Sequence, residues 1–150
     1  MANSIFNRGL SILGNYDWAA DTTDIGVLLV TSAYVFDKDA GNVVSDVVGN
    51  ETSGTGYIRK GVAGANRTNN EDDPGDAANL RISDASVVWT NINAGINLEI
   101  ILFFVDGGSL TASDTHNLLG HIDTGTNIPI ISNGGTVTLN FSTDGAVKLA

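Results

Sequence analysis

The sharpest catalytic string in the chain is Asp123-Thr124-Gly125, preceded by Ile122. In an aspartic protease such a loop sets one carboxylate against a second so that the pair shares a proton, and a homodimer can supply both copies. Those enzymes also need a late apolar, glycine-containing segment beneath the loop, and none is identifiable. The plain expectation is therefore a β-turn with glycine at positive φ. His116 and His121 are the only histidines. On a regular strand they would point to opposite faces, so they are expected to be a surface-loop histidine and a sheet histidine rather than a metal pair. There is no Gly-x-Ser-x-Gly elbow for a nucleophilic serine. Gly54-Thr55-Gly56 lacks both the third glycine and the Gly-Lys-Ser/Thr of a phosphate loop.

Two acidic stretches bear on metal binding. Asp37-Lys38-Asp39-Ala40-Gly41-Asn42 has carboxylate spacing like the start of a calcium loop. Its twelfth position is Val48, where such a loop needs a bidentate glutamate, so a solvated turn is expected. Glu71, Asp72, Asp73 and Asp76 crowd the polar run 63–76 and read as a solvated loop that cannot fold inward. Arg59-Lys60 is the only adjacent basic pair. It suits either a solvated strand face or a contact with an acidic patch on a neighbour. No catalytic residue, cofactor site or metal-ligand set is assigned.

A chain of 150 residues suits one domain and can bury a full core. It contains no cysteine, so neither disulfides nor thiolate metal sites are available. The formal net charge of -10 repels nucleic acid and anionic membranes at long range. The start of the chain lacks a basic region followed by an apolar core, so no signal peptide is expected.

The elements must organise around residues 96–106, the most apolar run. It is too short to cross a bilayer as a helix, which takes about 20 apolar residues. Its β-branched and aromatic content reads as a strand covered on both faces. Ile25 to Thr31 is nearly all apolar and should lie beside it. Shorter strands are expected over 57–62, 79–84, 85–90, 118–123 and 136–142, with Trp89 in the core and Pro129 at a sheet edge. Asn133-Gly134-Gly135 signals a hairpin. The fold class is mainly β: a single-domain β-sandwich or jelly-roll-like fold over 15–150, preceded by a short N-terminal helix or arm over 1–14. In the helical reading Ser4 caps residues 4–14, with Ile5, Phe6, Leu10 and Leu13 on one side. In the rival reading the segment is a short N-terminal strand or an arm that docks on a neighbour.

Assembled in order, these strings resemble a family of small β-rich virion structural proteins of tailed bacteriophages. The resemblance lies in Tyr16-Asp17-Trp18, Asp21-Thr22-Thr23-Asp24-Ile25-Gly26-Val27-Leu28-Leu29-Val30, Ser32 and Tyr34. It continues in Val44-Ser45-Asp46, Glu51, Ser53-Gly54-Thr55-Gly56-Tyr57, and Ala85-Ser86-Val87-Val88-Trp89-Thr90. Ile122-Asp123-Thr124-Gly125, Ser132-Asn133-Gly134-Gly135 and Asp144-Gly145-Ala146-Val147-Lys148-Leu149 complete it, over nearly the whole length. The resemblance implies a structural role without enzymatic activity. It favours a capsid decoration (cement) protein on the outer surface of the head, made in the bacterial cytoplasm. The implied partners are the major capsid protein and other virion proteins, with no nucleic acid and no membrane. A homo-oligomer is expected, a trimer on threefold positions being favoured. Ile5, Phe6, Leu10, Trp18, Arg59 and Lys60 are the candidate interaction residues. The rival is a tail or fibre-associated protein that binds host surfaces through exposed aromatics such as Trp18, Tyr34 or Tyr57. The Asp-Thr-Gly protease is the remote third.

Overall fold

A computed structural model describes residues 4–14, 24–62, 67–72, 77–82, 86–105, 109–110, 113–124, 127–141 and 147–149, with the backbone alone for 67–72, 77–82 and 147–149. The chain is mainly β, and its centre is the long apolar strand. That strand, β7 (Asn97–Phe104), follows β1 (Ser4–Ile5), β2 (Ile25–Thr31), β3 (Lys60–Val62), β4 (Arg67–Asp72), β5 (Ala77–Ile82) and β6 (Ser86–Trp89). After it come β8 (Leu118–Ile122), β9 (Ile130–Ile131), β10 (Val137–Asn140) and β11 (Val147–Leu149). Among the described residues one helix, α1 (Asn7–Leu13), lies between β1 and β2.

Strand β7 pairs along its length with β2, from Ile25 opposite Phe104 to Thr31 opposite Leu98. Its other edge is shared by β8 and by β9. The sheet runs β1-β8-β7-β2-β3, all antiparallel, with β9 off the path. Strand alternation explains why β7 is apolar on both faces from Ile100 to Phe104. Leu98, Ile100, Leu102 and Phe104 enter one core cluster and Ile101 and Phe103 the other. Each fully buried side chain of this size contributes roughly 1.5–3 kcal/mol.

The two faces are covered differently. On the first, β6 and β10 form a two-stranded sheet whose Val87, Trp89 and Val137 join the core, with Ile92 and Phe141 beside them. This makes an uneven sandwich, six strands against two. On the second face the cover is irregular backbone. Phe6, Val44 and Val47 are fully buried there, and Tyr34, Phe36 and Val48 pack against them. Val44–Asp46 and Val48–Asn50 are 3-10 turns. The Asp46 carboxylate closes the first by accepting the backbone N–H groups of Asn42 and Val43 at 2.9 and 3.0 Å.

At the N-terminus both expected forms occur in succession. Ser4 does not cap the helix; it sits in β1 opposite His121, while Phe6 is the residue that enters α1. The strand docks on β8 of its own chain. Gly9 is buried where α1 crosses β8, and a Cβ there would stand 2.5 Å from the Leu119 carbonyl oxygen. The glycine that weakens the helix in isolation is thus what lets it touch the sheet.

Two local expectations are corrected. The polar run 63–76 is not all loop, because 67–72 forms β4, paired with β5 from Arg67–Ile82 to Asp72–Ala77. Strand pairing needs a backbone partner, not an apolar side chain, and β5 supplies it. At 133–135 Gly134 takes φ +83° and the Asn133 side-chain oxygen accepts the Gly135 N–H at 2.9 Å. The flanking strands do not pair with each other, since β9 joins β7 and β10 joins β6. The turn carries the chain from one sheet to the other. No helix among the described residues is long and apolar enough to cross a membrane.

Candidate functional site

The densest polar constellation surrounds Arg59, which lies just before β3 and is only 8% exposed. It is therefore not a solvated strand face. Its Nε and Nη2 donate to the two oxygens of Glu51 at 2.8 and 2.6 Å, a bidentate fork. Nη1 reaches the Asp114 carboxylate at 2.7 Å and the Ser113 carbonyl at 3.1 Å. The Tyr57 hydroxyl donates to Glu51 at 2.7 Å and accepts the Leu29 N–H at 3.2 Å. Next to it, Trp89 Nε1 donates to the Ile58 carbonyl at 2.7 Å. Glu51 is bridged to Val30 of β2. One cation thus ties the segment after the 3-10 turns, the entry to β3 and the loop before β8 to the central sheet.

The electrostatics suit holding rather than reaction. The Glu51 hydrogen bond raises the Arg59 pKa further and keeps the guanidinium charged, against the opposing effect of burial. Burial, then the bond to Glu51, pushes the Tyr57 hydroxyl far above its ordinary value, so it serves as a fixed donor. Lys60, the other half of the basic pair, sits half-buried on β3 opposite Val27.

Both histidines are buried, which corrects the expectation of a surface-loop His116. His116 stacks on Phe103 with ring centres 5.5 Å apart, and its Nε2 lies 3.3 Å from the Ser109 carbonyl. A carbonyl accepts only, so Nε2 is the donor, and Nδ1 is buried with no hydrogen-bond partner among the described residues. His121 Nε2 meets Glu99 at 2.9 Å, and the ring stacks on Phe36 and takes Tyr34 edge-on. Tyr34 is pushed up to about 12 by burial and then by Asp37 and Asp46. The two histidines face the same side of the sheet despite their spacing. The register slips where Leu102 opposes Gly120 but Phe103 opposes Leu118, and that extra residue reverses the alternation. Each ring keeps its own partners. Among the described residues no group of three or more His, Asp or Glu side chains could hold a metal ion.

The Asp37 stretch forms a hydrogen-bonded turn. The Asp37 carboxylate accepts the N–H groups of Asp39 and Ala40 at 2.9 and 3.1 Å, which lowers its pKa. Asp39 accepts from the Asn7 side-chain amide. Glu71 and Asp72 belong to β4, while Asp73 and Asp76 lie outside the described residues. Asp123 follows β8 directly; one of its carboxylate oxygens is buried and accepts no hydrogen bond among the described residues, and Gly125 lies outside them.

The predicted contact residues divide. Phe6 is fully buried against Phe36, with ring centres 4.8 Å apart, and cannot anchor the chain to another surface in this conformation. Ile5 is half-buried in β1. Leu10, on the outer side of α1, is 51% exposed. Trp18 lies outside the described residues. Tyr34 and Tyr57 are half-buried rather than presented in a shallow groove.

The Arg59 network itself was not legible in sequence, because its acceptors come from three separated segments. The one available signal was that Glu51 and Tyr57 both stand in the strings that carry the phage resemblance. Compared with protein-family models, with curated proteins and with solved structures, the chain matches none.

Proposed function

We propose that the chain is a structural protein of a bacteriophage virion, a capsid decoration (cement) protein that stabilises the head shell by bridging capsomers. One observation carries the reading: among the described residues, several of the strings behind the resemblance contribute framework residues. Ile25 to Val30 are the core of β2, and Asp46 closes a 3-10 turn. Glu51 and Tyr57 hold Arg59, Trp89 holds the Ile58 carbonyl, and Ser132 Oγ bonds the Asn93 carbonyl. A resemblance made of framework residues is the kind shared by proteins that keep a shape and vary their surface.

The role is bridging, with no catalytic step. Copies on the outer surface of the head bury area across capsomer joints, typically about 1,200–2,000 Å² per specific interface. Many weak contacts on one shell add avidity, so each copy needs only modest affinity. The partners are the major capsid protein and further copies of the chain, with threefold positions favouring a trimer. Exposed Leu10 is the apolar contact that α1 offers. The acidic character keeps a high-copy protein soluble and away from DNA.

The test compares heads assembled with and without the protein. Heads lacking it should release DNA at lower temperature, and adding the purified chain should restore the difference. Equal stability with and without it would sink the cement role. A location on the tail, with binding to host polysaccharide, would favour the alternative of a tail or fibre-associated protein.

A further inference from the structure

Edge strands are templates for pairing, and folds usually blunt them. Here nearly all are short. Strands β1 and β9 have two residues each, β3 and β11 three, and β6 and β10 four. The exception is β4, with six residues, no proline and no bulge in its pairing with β5. The three-stranded sheet runs β11-β5-β4, so among the described residues one whole edge of β4 has no strand beside it.

The β4 sequence, Arg-Thr-Asn-Asn-Glu-Asp, is complementary to its own reverse. In an antiparallel pair centred on Asn69, Arg67 of each copy stands opposite Glu71 of the other, Thr68 opposite Asn70, and Asn69 opposite its counterpart. Directly opposed residues share a face. The register keeps the faces consistent: positions 67, 69 and 71 lie on the face of Ile82, Leu80 and Ala78, to which β11 adds Val147 and Leu149. The other face carries positions 68, 70, 72, 77, 79, 81 and 148, all polar except Ala77. Pairing at the β4 edge therefore brings the polar positions 67, 69 and 71 of the two copies together in the middle of that face, with the apolar positions of β5 and β11 to either side.

We propose that β4 pairs with β4 of a second copy of this chain across a twofold axis at Asn69, joining two three-stranded sheets into one of six. Charge favours the copy: an Arg67–Glu71 pair forms twice by symmetry, while a shift of one residue sets Arg67 opposite Asp72 instead, a register in which exchanging the charges at 67 and 71 would not restore pairing. The interface is isologous, so this edge joins two copies only and does not by itself grow into a fibre. It is independent of the virion reading, since the partner is this same chain whether or not a capsid is present.

The chain lacks cysteine, which makes the test direct. Asn69→Cys in the full-length protein places two thiols opposite each other, within the roughly 4.4–6.8 Å Cα separation a disulfide needs. Ser45→Cys, on the exposed 3-10 turn, is the control. Under mild oxidation N69C should give a covalent dimer at least about tenfold faster than S45C, because proximity raises effective concentration. Adding R67E sets like charges opposite at two symmetric points and should slow dimer formation by about tenfold. Adding R67E and E71R together should restore it. Circular dichroism establishes that each variant is folded. N69C crosslinking no faster than S45C, or a charge swap that fails to restore it, would overturn the proposal.

Discussion

At the scale of residues, Arg59 holds more of the molecule together than any other polar side chain described. It neutralises Glu51 in a site where the two side chains are 9% and 13% exposed. Removing one partner of such a pair strands the other charge, at a cost of about 3–5 kcal/mol. The Asp114 contact adds little, because that side chain is 51% exposed and screened. Arg59→Met should therefore lose several kcal/mol in urea unfolding, a large part of the roughly 5–15 kcal/mol a domain has. The double variant Glu51→Gln/Arg59→Met should recover part of that loss. A single variant within about 1 kcal/mol of the parent would show that the fork is merely a surface pair. In sequence Arg59 looked like half of a basic dipeptide. Burial of a charge depends on acceptors brought from elsewhere, and spacing along the chain does not reveal them.

At the scale of elements, the close packing of α1 on β8 turns on Gly9. Helix propensity alone says Gly9→Ala should stabilise by about 1 kcal/mol. Packing says the opposite, because the new methyl would meet Leu119 backbone atoms at 2.5 and 2.9 Å and backbone cannot swing aside. The packing effect should win, with a net loss of about 1–3 kcal/mol as the helix lifts from the sheet. The thermal midpoint of the folded chain checks it, and a rise would show that α1 is loosely seated. The same principle explains Gly26, where the Phe103 ring of the neighbouring strand occupies the place of a side chain. Strands β2 and β7 were legible because an apolar run bounded by turn residues has few other uses. Strand β4 was not, since its residues say nothing of burial and only the alternation of Leu80 and Ile82 opposite hinted at a ladder. The 3-10 turns over 44–50 were equally hidden, because their pattern fits neither a helical nor a strand period.

At the scale of the whole molecule, the sequence conveyed the mainly β class and the central position of residues 96–106. It did not convey the asymmetry of cover, a sheet on one face and aromatic-rich irregular backbone on the other. That asymmetry comes from Phe6, Tyr34 and Phe36, which look like loop or surface residues until β1 and the 3-10 turns bring them over Ile101 and Phe103. Of the candidate contact residues, the sequence marked Phe6 and Leu10 alike as apolar, and helix packing separated them into core and surface. Trp18 lies outside the described residues. The distinctive polar groups described, Arg59, Glu51, Tyr57 and the two histidines, are engaged within the chain.

The central claim is location in the particle. Purified virions that encode this chain should be separated into heads and tails, and the protein quantified in each against the major capsid protein. The account predicts many copies travelling with the heads, in a fixed ratio to the capsid protein. A few copies on tails would contradict the decoration role, and absence from both fractions would contradict the virion reading itself.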